Sequence, residues 1–451
     1  MLLAAAAAGC VAFAQADETT DGPGNAQNAG ASPPNTPATM PRLTADVPAP
    51  MMDLTVEPND LWPRVRNDFS LPDLTGPQVE QQEKWLLRHP DYLRNAVARS
   101  SRYLYHIIDE VEKRGMPSEI ALLPFIESAY NPTAYSRAHA SGIWQFIPST
   151  GKLYGLEQNF WYDGRRDVIA ATDAALNYLE KLYETFGSWT LALAAYNWGE
   201  NGVAHAIARN EAKGLPTDYQ SLKLPRETRD YVPKLQAVKN IIADPERYGI
   251  ALEDIPNRPY FATVTTDRHI DVRLAAKFAQ VPIEEFMSLN PGYTRPVIRV
   301  NKEEETLLLP ADKIDAFRTR LEQSEGEGQP LVSWQTYTLK RGDRLNHVAA
   351  KYGIGLAELK RVNGISSRRK IGPGMTVLVP VKSADAAVNL PDLPAPPPPV
   401  FKTYRTNHHV GHGRNGLKTA AAKKIRSSAN KAATANAGKH LATAEPATTA
   451  R

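Results

Sequence analysis

From residue 53 to about 255 the apolar positions recur at helical spacing, and on either side of that stretch the pattern changes character. The run "QVEQQEKWLLRHPDYLRNAVARSSRYLYHIIDEVEKRG" reads as helix up to Gly115. In "DVIAATDAALNYLEKLYETFG", Ile169, Leu176, Leu179, Leu182, Tyr183 and Phe186 fall on one helical face, with Asp167 as N-cap and Gly187 as C-cap. Such stripes are read as core. Further along the pattern repeats: "AAKFAQVPIEEFMSLN" (275–290) is echoed by "AAKYGIGLAELKRVN" (349–363), and each copy closes on a short strand pattern, "TLLLP" (306–310) and "TVLVP" (376–380). The later copy opens on alternating Tyr337 and Leu339 and a Gly342-Asp343 turn. Strand, helix, helix, strand over so short a span makes a small two-layer unit, and two in tandem suggest an extended recognition surface.

The ends carry no such periodicity. "MLLAAAAAGCVAFAQA" has the length of a signal-peptide core and is too short to span a bilayer, although it lacks the usual positive start. Cleavage after Ala14 or Ala16 would release a periplasmic protein, whereas "AAGC" is a loose lipobox that would put a lipid on Cys10 and hold the chain at the outer membrane. Both readings place the protein in the cell envelope. Residues 17–52 are Gly-, Pro-, Asn- and Thr-rich and are expected to be a disordered linker. Residues 383–451 begin with a proline run and continue as an Ala- and Lys-rich segment, expected to be a disordered basic tail.

Composition narrows the chemistry. Cys10 is the one cysteine among 451 residues, so no intrachain disulfide can form and a cysteine-ligated zinc site is excluded. The net charge of +4 hides an imbalance: residues 384–451 hold ten Lys and Arg against three acids, a surplus of seven, which leaves −3 for the rest. An exported chain with a basic tail points to anionic envelope surfaces rather than to nucleic acid as the tail's partner, with a solvated, inert tail as the alternative. His408, His409 and His412 sit in that tail and are read as solvated rather than as a metal site; no metal and no cofactor is expected.

One residue breaks the apolar pattern in an informative way. Between Ile120 and Ser136 the only charged side chain is Glu127, and an ionised carboxylate is costly to bury unless it is paired or used. Downstream, "SGIWQF" (141–146) and "ALAAYNWGENG" (192–202) combine aromatic rings, amides and glycine breaks, and "ETRDYVPK" (227–234) adds Tyr231. Rings beside Asn and Gln amides suit a neutral sugar, which needs stacking area and a few directional hydrogen bonds. Phe125, Ile126, Trp144 and Phe146 are expected to desolvate Glu127 and raise its pKa. Trp161 and Trp198 are read as core.

Those four segments resemble the family 1 lytic transglycosylases, whose catalytic domain has a goose-type lysozyme-like fold. The family's Glu-Ser pair falls on Glu127 and Ser128, its Gly-Leu-Met-Gln motif on Gly142 to Gln145, its Ala-Tyr-Asn motif on Ala195, Tyr196 and Asn197, and its late tyrosine on Tyr231. Ile143 and Trp144 replace Leu and Met, as in a subgroup that also carries "RRD" (165–167) and C-terminal LysM repeats. The later repeat resembles LysM, a binder of N-acetylglucosamine-containing glycans, through Tyr337, Gly342, Asp343, Leu345, Ala349, Tyr352, Leu359, Asn363, Gly374 and Pro380, with Arg344 where Thr or Ser is usual. The earlier repeat lacks the Gly-Asp turn and is a degenerate relative, a spacer as readily as a binder. The expected architecture is multidomain: a mainly α-helical lysozyme-like domain at 53–255, a degenerate LysM-like module at 258–322, a βααβ LysM module at 334–382 and disordered termini, with residues 1–16 as signal.

The resemblance implies that one glutamate does the work of two. Glu127 would protonate the oxygen between N-acetylmuramic acid and N-acetylglucosamine, then take the proton of the C6 hydroxyl as it closes a 1,6-anhydro ring. The substrate's N-acetyl group would hold the cation. It also implies that Ser128, Ser136, Gln145, Tyr196, Asn197 and Tyr231 position the glycan or the glutamate, and that Gly342, Asp343 and Arg344 contact glycan in the LysM module. A hydrolytic muramidase of the same fold and a non-catalytic wall-binding scaffold are the two competing readings, and peptidoglycan strands are the expected partner in all three.

Overall fold

In a computed structural model of the chain, residues 59–393 are described, apart from 302, 367–368, 383–389 and 392. The expected signal segment with Cys10, the linker and the tail histidines lie outside them. No described helix is long and apolar enough to cross a membrane.

The long helical pattern before Gly115 forms three helices, Pro77–Arg88, Pro90–Ser100 and Leu104–Lys113. The first break is at His89, which precedes Pro90, where the α conformation is sterically disfavoured. Helix Val168–Phe186 has the expected caps: the Asp167 carboxylate accepts from the Ala170 N–H, and Gly187 is left-handed at φ 64°. Its buried stripe differs from the one expected. Val168, Ala171, Thr172, Ala175, Leu176, Leu179 and Leu182 face inward, while Tyr183 is exposed and stacks on Trp189 with ring centroids 4.5 Å apart. Small residues on that stripe let the next helix, Trp189–Trp198, approach closely.

That helix is the hub of the domain. Leu191 to Ala195 and Asn197 are all buried, so it is apolar on nearly every side, as a helix enclosed by others must be. It packs against Val168–Phe186, Glu200–Glu211 and Arg226–Ala243. Pro233 lies inside Arg226–Ala243 and has no N–H to give to the Arg229 carbonyl one turn back. The Tyr219 hydroxyl fills that gap, lying 2.8 Å from both the Thr228 and the Arg229 carbonyl oxygens.

Both repeats are built on an antiparallel strand pair. In the earlier, Phe261–Thr266 pairs with Glu305–Pro310, and helices Val272–Phe278 and Ile283–Leu289 lie between them in sequence. A further helix, Ile314–Gly326, follows. In the later, Trp334–Thr338 pairs with Thr376–Pro380 around helices Leu345–Lys351 and Leu356–Val362. In each, a buried asparagine splices the last strand to the second helix. Asn290 donates to the Leu308 carbonyl and accepts from its N–H, and Asn363 does the same to Leu378.

The two modules differ in attachment. The earlier one shares the core of the helical domain through Phe261, Leu289 and Leu308, and is pinned by Arg102, which pairs with Glu285 at 2.6 Å, and by the Tyr103 hydroxyl on the Ser288 carbonyl at 2.8 Å. The later one has its own small core of Leu339, Leu345, Val348, Leu359, Val377 and Val379. Trp161 is buried as expected, but at a junction rather than in the core of the helical domain: it packs with Phe160, Val297, Leu378 and Leu390. Leu390, Pro391 and Leu393, read from the sequence as part of the tail, join this junction. The Trp161 indole N–H donates to the Pro391 carbonyl at 3.1 Å and the Phe160 N–H to that of Leu393 at 3.2 Å, because the apolar junction offers these residues a place to bury.

Candidate active site

Glu127 ends the five-residue helix Leu123–Glu127. The next turn is unusual: Ala129 and Tyr130 both have positive φ, 49° and 55°, a region that costs a non-glycine residue roughly 1–2 kcal/mol. Three contacts hold it there. The Tyr130 N–H reaches the Pro124 carbonyl at 3.0 Å, the Tyr130 hydroxyl the Ala121 carbonyl at 2.6 Å, and Arg99 the Ala129 carbonyl at 2.8 Å. The chain reverses at once, and the glutamate lines a groove of about 920 Å³.

The groove is lined by Trp85, His89, Tyr92, Tyr135, Asn131 and Lys234 among others, and by Ser128, Ser136 and Gln145 of the expected set. Ser128 Oγ donates to the Ile143 carbonyl at 2.9 Å, tying the glutamate turn to the segment that carries Gln145. Ser136 Oγ accepts from the Ala140 N–H at 3.0 Å and caps its own loop. Gln145 has positive φ, 52°, and its amide donates to the Gly142 carbonyl at 2.7 Å. Gly142 cannot be replaced without rebuilding: a Cβ there would lie 2.0 Å from the Arg165 carbonyl oxygen.

Three of the expected residues are not among those that line the groove. The Tyr231 hydroxyl donates to Glu127 Oε1 at 2.5 Å, while Tyr196 donates to the Trp144 carbonyl at 2.9 Å. Asn197 is buried and accepts from the Thr228 hydroxyl at 2.8 Å, which fixes the start of the Tyr231 helix against the hub. Trp144 is fully buried with its indole N–H on the Thr172 hydroxyl. In the LysM module, Gly342 is left-handed at φ 92°, and the Asp343 carboxylate accepts from the Tyr337 hydroxyl at 2.7 Å and the Lys340 N–H at 2.8 Å, with Arg344 following.

Electrostatics single out Glu127. Burial pushes its pKa up to about 7; the Tyr231 hydrogen bond and Lys234 pull the other way, and the Glu227 charge adds to the rise. Near neutral pH the side chain can therefore give a proton and take one back. The sequence reading missed the aromatic wall opposite it. Trp85 stacks on His89 at 4.4 Å and meets Tyr92 edge-on at 5.2 Å, and Tyr92 donates to the Phe125 carbonyl at 2.6 Å. The signal was available: three rings at 85, 89 and 92 span a single His-Pro break.

A helical lysozyme-like domain with one tunable carboxyl in a ring-lined groove, followed by LysM-type modules, defines a glycan-cleaving enzyme with glycan-binding appendages. Comparison with known proteins agrees. Residues 105–217 match the Transglycosylase SLT domain, 260–326 the Lytic transglycosylase MltD, LysM-like domain, and 337–380 the LysM domain. The chain is 35% identical over 329 residues to Membrane-bound lytic murein transglycosylase D of Escherichia coli (strain K12), covering 70% of this chain and 72% of that one. A protein named for tributyltin chloride resistance in Alteromonas sp. (strain M-1) is 43% identical over 171 residues, 38% of this chain and 81% of that one. The chain belongs to the lytic transglycosylase family.

Proposed function

We propose that this lytic transglycosylase cleaves the β-1,4 bond between N-acetylmuramic acid and N-acetylglucosamine in murein, with Glu127 as its single acid and base. The observation that carries the reading is a carboxyl lining a ring-lined groove, held near pKa 7 by burial. Its proton goes to the glycosidic oxygen as the C1–O bond breaks, and an oxocarbenium-like centre develops. The resulting carboxylate takes the proton of the muramyl C6 hydroxyl as that oxygen bonds to C1, so the 1,6-anhydro ring forms and no water is consumed.

In this reading Tyr231 steadies the carboxylate phase, and Ser128, Ser136 and Gln145 shape the groove that holds the sugars. Tyr196 and Asn197 act through the backbone and helix they brace. The LysM turn at Gly342, Asp343 and Arg344 contributes glycan contacts, and linkage of such a module to the catalytic domain raises local substrate concentration. We place the enzyme at 53–255, the modules at 258–322 and 334–382, and the mature chain in the periplasm, soluble or held at the outer membrane through Cys10. A hydrolase would need a second carboxylate placed to activate water. Asp91 lines the groove but is paired with Arg94, and Glu227, the acid whose charge acts on Glu127, is not among the lining residues.

Mass spectrometry of fragments released from purified sacculi tests this. The wild type should yield products lighter than the hydrolytic ones by one water, and Glu127→Gln should yield almost none. Fragments with reducing ends, or undiminished release by the variant, would sink the assignment.

A further inference from the structure

We propose that Arg166, Arg295 and Arg369 form an oxyanion-binding site where the catalytic domain meets the two modules, taking a carboxylate or phosphate group. Arg295 is only 8% exposed. Its guanidinium lies 4.2 Å from the centre of the Phe160 ring, and one terminal nitrogen donates to the Thr294 carbonyl at 3.0 Å. Its Nε is buried with no partner. On the later module, Arg369 likewise buries Nη1 with no partner. Among the described residues neither arginine has an ion pair. Arg166 donates to the Ser141 hydroxyl at 2.8 Å, and the carboxylate near it, Asp163 at 3.8 Å, is already held by Arg165 through bonds of 2.9 and 2.8 Å.

Arg369 and Arg166 are the charges that act on Arg295, and two of these three arginines keep a buried donor unused. Leaving a buried charge uncompensated costs several kcal/mol. Burial pushes Arg295 down to about 10, and the charges of Arg369 and Arg166 add to the fall. Planar guanidinium forks match carboxylate and phosphate oxygens. Gly364 of the later module lets this contact be tight, since a Cβ there would lie 3.1 Å from Arg295 Nη2. An oxyanion would bridge Arg295 and Arg369 and so fix the later module to the earlier. Arg166 also lies over the Tyr135 ring, 5.9 Å from its centre, and Tyr135 lines the groove. One ring therefore separates Arg166 from the groove.

The site goes beyond the cleavage reaction and does not use Glu127, so its failure leaves the catalytic reading untouched. Thermal melts of the full chain, at constant ionic strength set with sodium chloride, are to be titrated with inorganic phosphate and with N-acetyl-alanine against its uncharged amide. Saturable stabilisation by phosphate or by N-acetyl-alanine, but not by the amide, is expected, and the tighter of the two anions identifies the source. Arg369→Gln should weaken that binding at least about tenfold, a loss on the order of 1.4 kcal/mol. Arg295→Gln should do the same if it folds, and Arg369→Gln decides if it does not. Stabilisation no greater than with chloride, or unchanged in Arg369→Gln, overturns the proposal.

Discussion

Glu119 and Glu127 lie eight residues apart on consecutive short helices, and the fold treats them in opposite ways. Glu119 is wholly buried and fully answered: its oxygens accept from the Ser70 and Leu71 N–H groups at 3.1 and 3.0 Å and pair with Lys239 at 3.0 Å. Lys239 is pulled down by burial, yet Asp73 and Glu119 outweigh that and raise it. Glu127 is half-buried and has one hydroxyl and a distant cation, so desolvation wins. A carboxylate completed with partners is spent on the fold; one denied them is left as a proton carrier. The difference is in the count of partners, since the deeper of the two is the one kept as an ion pair.

Substitution should separate the two roles most sharply at Glu127. Glu127→Gln is expected to lose about 10²–10⁴-fold in kcat, the range of general acid–base catalysis, with an unchanged circular dichroism spectrum. Its stability should depend on pH in a defined sense. The folded carboxyl titrates at about 7 against an ordinary 4.5, so between those values the folded state binds the extra proton and wild-type stability falls as pH rises. Relative to wild type, Glu127→Gln should gain up to roughly 3 kcal/mol on going from pH 4 to pH 8, from 1.36 kcal/mol per unit. Parallel melting curves for the two proteins across that range would contradict the account. Glu119→Gln should behave inversely. It strands Lys239 with only the exposed Asp73, so unfolding free energy should drop by about 3 kcal/mol, the low end for breaking a buried pair, with kcat per folded molecule retained. Urea denaturation with a parallel activity assay reads both.

Glu127 was legible in the sequence because its isolation among apolar residues is a local property. Glu119 was not, although it stands one residue outside the same charge-free stretch: its partners are 49, 48 and 120 positions away, Ser70, Leu71 and Lys239, and only the tertiary fold brings them in. The same limit governs the rest. Caps at Asp167 and Gly187 and the βααβ order of the later module are local signals, and they appear as read. Tyr183 misled because periodicity names a face without saying what covers it; its ring finds Trp189 at the surface instead of the core. The fusion of the earlier module to the catalytic domain rests on Arg102–Glu285 and Tyr103–Ser288, contacts between residues that nothing in either segment announces.

Smaller effects sharpen the comparison by moving Glu127 part of the way. Tyr231→Phe removes a hydrogen bond that favours the carboxylate, so the alkaline limb of the pH–rate profile should shift upward. A rate loss of about 10- to 100-fold should accompany it, the scale of the 1.5–3 kcal/mol of a bond to a charged group. Glu227→Gln should shift the same limb downward and by less. Glu227 raises Glu127 through its charge, ranks below burial and the Tyr231 bond among the influences, and keeps its own hydrogen bond with Asn197. A neutral amide of the same shape removes the repulsion without emptying the space, so kcat at the optimum should change little. If the two limbs moved in the same direction, the glutamate's proton affinity would be governed by repacking of the groove and not by the neighbours named here. Opposite shifts, with the larger from Tyr231, would show that partner count sets the chemistry even within one site.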